Sequence, residues 1–319
     1  MKDIVITGGA GFLGSRLIQA LLDAQDEGCA TVSFDRVISV DLGPSPIQDP
    51  RVTSVVGDFT DPDVLAQAVT ERTVAICHLA AVLSGGSAAD FDLAHRVNVQ
   101  GTTNLLEAAR HTGGSPLFVF TSSLAVFGGQ LPAQMPEHWG AHPASTYGAF
   151  KAIGELLVSE YSRKGWIDGR VCRMPTISVR PGRPNTAASS FVSGIIREPL
   201  QGMPAPLPAP LDTRLWLCSP GTAVTNLVHA LGVPGEAIGA WRVINMPGVS
   251  VTVAEMLDAL EDVAGSEVRG LVYEEPDPVA AQIVQSWPSD FEVSRALSLG
   301  FQPDRGFRAA LEEFRDSRG

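Results

Sequence analysis

Tyr147-Gly148-Ala149-Phe150-Lys151 sets a phenol and an ammonium at positions i and i+4, which on a helix share one face. An ammonium beside a phenol stabilises the phenolate and lowers a pKa that starts near ~10. Such a phenolate can take a proton from an alcohol while hydride leaves the same carbon. Ser122-Ser123 closes the strand-like run Leu117 to Ser122. A hydroxyl there can hold a substrate oxygen beside the phenol, because open α/β sheets bind ligands at the carboxyl ends of their strands. Tyr147, Lys151 and Ser123 are thus candidate catalytic residues for chemistry at a CH–OH group.

Hydride transfer needs an acceptor, and the N-terminus offers a place for one. Gly8, Gly11 and Gly14 stand in Thr7-Gly8-Gly9-Ala10-Gly11-Phe12-Leu13-Gly14, between the strand-like Asp3 to Thr7 and the helical Phe12 to Leu22. Glycine permits a tight turn and a close backbone approach to a pyrophosphate, whose charge meets the helix N-terminus. Asp41 ends the next strand, Val37 to Asp41. A carboxylate there accepts from both ribose hydroxyls and repels a 2′-phosphate, which favours NAD over NADP. Asp41 lies further from Gly14 than the usual ~20 residues, and Asp35-Arg36 is a rival for the ribose contact. Asp58, after a third strand, can accept from an adenine amino group; its other reading is a cap for the following turn.

The elements that must position these groups alternate. Strands are expected at 3–7, 37–41, 52–58, 73–81 (the strand with its exit) and 117–122. Helices are expected at 12–22, 64–69, 98–110 and 147–164, with a capping box Thr252-Val253-Ala254-Glu255 ahead of a later helix, Met256 to Val263. Alternation of this kind implies a parallel sheet with right-handed crossovers. The predicted fold is α/β, a Rossmann-type doubly wound parallel sheet with a smaller C-terminal substrate-binding region. Proline-rich Pro181 to Pro210 marks the departure from the sheet. Residues 1–178 are expected to form the cofactor domain. Residues 179–319 are expected to cover the substrate, with some segments returning to the sheet.

The 319 residues carry a net charge of −12, 45% hydrophobic and 18% charged residues, which is an ordinary globular composition. The acidic balance argues against a nucleic-acid partner held through phosphates. Cys29, Cys77, Cys172 and Cys218 form no CxxC pair, so neither zinc nor a disulfide framework is expected. His138 and His142 share a zinc-like spacing, but Trp139-Gly140-Ala141 between them and Pro143 after them read as loop; no metal is expected. No signal peptide and no apolar run of membrane-spanning length is visible, so a cytoplasmic protein is the expectation.

Taken in order, these segments resemble the extended short-chain dehydrogenase/reductases, which include nucleotide-sugar epimerases and dehydratases. The resemblance rests on Gly8-Gly11-Gly14, Asp58, Leu79-Ala80-Ala81, Asn98-Val99-Gln100-Gly101-Thr102, Ser122-Ser123 and Tyr147/Lys151. It implies a cofactor site of Gly8, Gly11, Phe12, Leu13, Gly14, Asp41, Asp58, Leu79, Ala80, Ala81, Asn98, Ser122, Tyr147, Lys151 and Pro175. Phe127 stands where the family carries Tyr. The resemblance also implies a possible homodimer, paired through the helices 98–110 and 147–164.

Later segments depart from the nucleotide-sugar pattern. Thr176 stands where those enzymes place Asn, and around Arg214-Leu215-Trp216 both acids of their pattern are missing. The runs Thr176 to Asn185, Ala188 to Leu200, Ser122 to Gly128 and Asp212 to Trp216 are similar instead to the D-erythronate dehydrogenase branch of the superfamily. That resemblance implies NAD-linked oxidation of a small sugar acid at C2. The expected substrate residues are Ser84, Ser123, Tyr147, Thr176, Arg183, Arg197 and Arg214. An arginine suits a carboxylate because it binds both oxygens at once. Two alternatives stay open: a nucleotide-sugar epimerase or dehydratase, and a non-catalytic NAD-sensing protein.

Overall fold

The computed structural model describes residues 1–182 and 189–316. The chain begins with β1 (Asp3–Thr7), α1 (Phe12–Asp26), β2 (Arg36–Asp41), β3 (Val52–Val56), α2 (Pro62–Ala68) and β4 (Thr73–His78). Next come α3 (Ser84–Ala89), α4 (Phe91–His95), a π-helical segment (Arg96–Gly101), α5 (Thr102–His111), β5 (Leu117–Ser123), α6 (Thr146–Arg163), β6 (Asp168–Met174) and β7 (Thr176–Ile177). Strands β1 to β6 and β10 (Val243–Asn245) form a seven-stranded sheet in the order β10-β6-β5-β4-β1-β2-β3, and all of its pairings are parallel. The strand order reverses between β1 and β4. Such a reversal opens a crevice at the carboxyl ends of those strands.

Side chains alternate across each strand and therefore feed two cores. Ile4 and Ile6 of β1 pack with Leu17, Ile18, Leu21 and Leu22 of α1. Val5 points the other way, into a cluster with Leu105 and Leu106 of α5 and Val158 of α6. Both faces are covered, which is why the strands read as continuous apolar runs.

After β7 the chain forms α7 (Ser190–Arg197), β8 (Ala205–Leu207), β9 (Arg214–Cys218), α8 (Pro220–Gly232) and α9 (Gly235–Ile238). Then β10 returns to the main sheet beside β6, and α8 packs on α1. The rest is β11 (Val249–Thr252), α10 (Val253–Ala264), α11 (Ser266–Arg269), β12 (Val272–Glu274), α12 (Pro278–Gln285), α13 (Ser294–Ser298) and α14 (Phe307–Asp316). Two small sheets, β11-β9-β7 and β12-β8, enclose a third core with Ile195, Ile196, Leu217, Met256 and Leu311. The Thr252/Glu255 capping box forms in full, with Glu255 N–H on Thr252 Oγ1 at 3.1 Å and Thr252 N–H on Glu255 Oε2 at 2.6 Å. No helix among the described residues is long and apolar enough to cross a membrane.

One expected element differs. The helix read from Asn98 is π-helical until Gly101 and α-helical only from Thr102. Gly101 lies so close to the Phe59 ring that a Cβ would overlap it. Asn98 is turned inward, where its side chain spans the N–H and carbonyl of Val82. Spacing alone gives no sign of either contact.

Candidate active site

A cavity of about 870 Å³ lies along the carboxyl ends of β1, β4 and β5 and is roofed by the segments after β7. At one end stand Gly8, Gly11, Phe12, Leu13 and Gly14, with Asp41 and Asp58 beyond them. Gly11 is the extended residue immediately before α1, so the first turn of that helix presents its unpaired N–H groups there. Gly14 packs so tightly on the Gly8 carbonyl that any Cβ would overlap it. Asp41 accepts from Ala10 N–H at 3.0 Å and Leu42 N–H at 2.7 Å, and so holds the glycine turn while lining the cavity. Asp58 accepts from Thr60 N–H at 2.9 Å and also lines the cavity, while Asp61 caps α2. Asp35 lies at the far end of β2, against Lys2 N–H and the N-terminus. That placement removes it as a rival for the ribose. A glycine cradle with a carboxylate at the second strand's end fits a dinucleotide without a 2′-phosphate.

Midway along the cavity are Leu79, Ala80, Ala81, Ser122, Ser123, Tyr147, Lys151 and Pro175. Ser145 caps α6 by accepting from Gly148 N–H at 3.1 Å. Gly148 then lets the helix start press on the Ala125 carbonyl, where a Cβ would clash. This close approach sets Tyr147 beside the end of β5, where Ser123 acts on its phenol. Burial pushes the phenol up to about 12, while Ser123 and Arg180 act to lower it. Burial brings Lys151 down to about 7, and the Glu155 carboxylate works in the other direction. The Lys151 ammonium donates to the Thr121 carbonyl at 2.8 Å.

Not every expected residue faces this space. Asn98 does not line the cavity; its clamp on Val82 holds the loop after β4 instead. Ser122 borders it, yet its hydroxyl donates away from it to Glu155 Oε1 at 2.5 Å. Arg214 is a correction. It is 46% exposed, beside Glu255 at 3.8 Å, and contributes nothing to the cavity lining. The reason is position: Arg214 is the first residue of β9 and its one exposed residue, while Leu215 to Cys218 are all buried. Arg183 lies outside the described residues.

Ser84, Thr176 and Arg197 do line the far end of the cavity, and Arg180, Ser189, Ser190 and Trp287 join them there. Arg197 is buried, pairs with Glu198, and donates to the Arg180 carbonyl at 3.0 Å. Arg180 acts electrostatically on both Tyr147 and Arg197. Sequence reasoning missed Arg180 although the residue lay inside a motif already singled out. The available signal was its place directly before Pro181, at the point where the chain leaves the sheet.

A family model described as NAD dependent epimerase/dehydratase family matches residues 4–231. The D-erythronate dehydrogenase of Cupriavidus necator is 48% identical over 320 residues, covering 99% of this chain and 99% of that one. The D-erythronate dehydrogenase of Haemophilus influenzae is 45% identical, covering 98% of each chain. A solved structure, described as the nucleoside-diphosphate-sugar epimerase from Agrobacterium tumefaciens, superposes with a TM-score of 0.90 at 39% identity. The match covers 97% of this chain and 92% of that one. The match to the family model runs from β1 into α8, through the glycine cradle and the Tyr147 helix alike, and the chain belongs to the NAD dependent epimerase/dehydratase family.

Proposed function

We propose that this protein oxidises D-erythronate at C2 to the 2-oxo acid, with NAD as the acceptor. The observation that carries the reading is its similarity to two D-erythronate dehydrogenases along essentially the whole chain. The cavity supports it, because Arg180 and Arg197 line the same cavity as Ser123 and Tyr147. NAD, when bound, supplies the hydride acceptor. The glycine cradle and the first turn of α1 would hold its pyrophosphate, and Asp41 its adenosine ribose.

Ser123 orients the C2 hydroxyl, and the Tyr147 phenolate takes its proton as the C2 hydride departs. Lys151 favours the phenolate by placing positive charge on the same helix face. Arg180 is the candidate for the substrate carboxylate, since it lines the cavity and acts electrostatically on Tyr147. Residues 1–178 serve as the cofactor half and 179–319 mainly as the covering half, with α8 and β10 returning to the sheet. A homodimer through α5 and α6, and a cytoplasmic setting suited to four free cysteines, belong to the same reading.

The test is stoichiometric. With NAD and a panel of aldonic acids, D-erythronate should give one NADH per 2-oxo acid formed. An epimerase would interconvert a nucleotide sugar with no net NADH, and that outcome would overturn the proposal.

A further inference from the structure

Behind the cavity wall, outside the lining, sits a buried charged cluster that the reaction as described does not use. Glu155 lies on α6 one turn beyond Lys151, itself one turn beyond Tyr147 on the same face. Both Glu155 and Arg173 are almost fully buried. Arg173 donates to Glu155 from Nε at 2.9 Å and from a terminal nitrogen at 2.8 Å, while Ser122 Oγ donates to the same carboxylate at 2.5 Å. Arg173 also stacks on the Phe127 ring, its guanidinium carbon 4.6 Å from the ring centre. One carboxylate thus joins α6, the end of β5 and the end of β6. The residues on either side of Ser122 are the ones that meet the reacting pair: Thr121 through its carbonyl on Lys151, and Ser123 through its hydroxyl near Tyr147.

We propose that Glu155 is a positioning residue for the oxidation described above. It locks the end of β5 so that the Thr121 carbonyl receives Lys151 and the Ser123 hydroxyl faces Tyr147, and it supplies the negative charge against which the buried Lys151 ammonium is held.

The surroundings of Lys151 make this charge count. β4 contributes His78, which burial brings down to about 3, so it stays neutral near pH 7. β5 contributes only the Thr121 carbonyl and the Phe120 ring, 4.8 Å from Nζ. α3 carries no titratable side chain. The π-helical segment places Arg96 at the cavity wall. α6 itself contributes Tyr147 and Glu155, and β6 contributes Arg173 through Glu155. Arg96 and Arg173 are cations, so Glu155 is the anion in this set. Its loss acts on Lys151 twice, by removing a negative charge and by leaving Arg173 without its partner. Both effects favour the neutral amine. Phe127 also gains a reason to be there, since a ring without a hydroxyl can lie flat under Arg173 with no buried donor to satisfy.

The proposal rests on the oxidation reading only for its kinetic arm. The chain contains three lysines, Lys2, Lys151 and Lys164, so selectively labelled lysine side chains can be followed by NMR in the cofactor-free protein. Lys151 should titrate near 7 in the parent, and Glu155→Gln should lower that midpoint by about one pH unit or more. An unchanged midpoint in folded Glu155→Gln overturns the proposal. With D-erythronate, Glu155→Gln should lower kcat by about tenfold or more while KM for both substrates stays within about twofold. A parent-like kcat also overturns it. If Glu155→Gln does not fold, the double substitution Glu155→Met/Arg173→Met decides, because a well-packed apolar replacement of a buried pair keeps stability. A kcat within about twofold of the parent in that double variant overturns the proposal, and a loss of about tenfold or more supports it. If the parent itself does not turn over D-erythronate, the oxidation reading fails, and the lysine titration still decides for Glu155.

Discussion

Tyr147 holds its proton at neutral pH in the unliganded protein, since burial raises the phenol to about 12. Its use as a base depends on the positive charge of Lys151, and both side chains were legible as a spacing. Tyr147→Phe should lower kcat by roughly 10²- to 10⁴-fold while leaving NADH binding, read by fluorescence, near the parent value. The arginines were legible only as a class. Arg214 met every chemical requirement for a carboxylate anchor, but it stands at the exposed first position of β9, and residue type alone does not say where a strand enters the core. Arg214→Ala should therefore leave the KM for D-erythronate within about twofold, whereas Arg180→Met should raise it by about tenfold or more, equivalent to ~1.4 kcal/mol. Equal effects of the two substitutions in steady-state assays would contradict the assignment. Asp41 was legible from its place at a strand's end. Its second duty, holding Ala10 and Leu42 N–H groups, was not, because both bonds come from the turn's own shape.

At the scale of elements, the alternation of strands and helices carried most of the parallel sheet, because buried strands and amphipathic helices differ in period. The π-helical stretch and the three-way contact of α6, β5 and β6 were not readable, since each depends on packing between distant segments. His78 illustrates the same limit. Alternation shows only a residue near a strand's end, and the structure adds a bond to Thr7 on β1 at 2.7 Å and one to Thr102 on α5 at 2.9 Å. Its pKa falls from 6.5 to about 3 on burial. The unfolded chain then binds the extra proton first. The stability that neutral His78 contributes is present above pH ~6.5 and is lost as pH falls from there toward ~3, by at most about 1.4 kcal/mol per pH unit. Chemical denaturation at several pH values should show this slope, and His78→Gln should flatten it. Gly148→Ala should lower both Tm and kcat, because relieving the overlap with the Ala125 carbonyl moves Tyr147 away from Ser123.

Across the whole molecule, the covering region and the nucleotide sheet are not successive beads on a string. Arg170 of β6 is fully buried and donates to the Ala230 and Val233 carbonyls at the end of α8. Arg170→Met should destabilise the fold by about 3–5 kcal/mol, measured by urea unfolding, because both carbonyls lose their donor while Asp168 keeps only Arg242. The strand β10 has a consequence for how the protein is made. It enters the central sheet only after α7, β8, β9, α8 and α9 have been synthesised. On the ribosome, therefore, a nascent chain that has just finished β6 exposes an open strand edge and an α1 face lacking its α8 cover, a state prone to pairing with other chains. Translation must continue through residue 245 before that edge is closed.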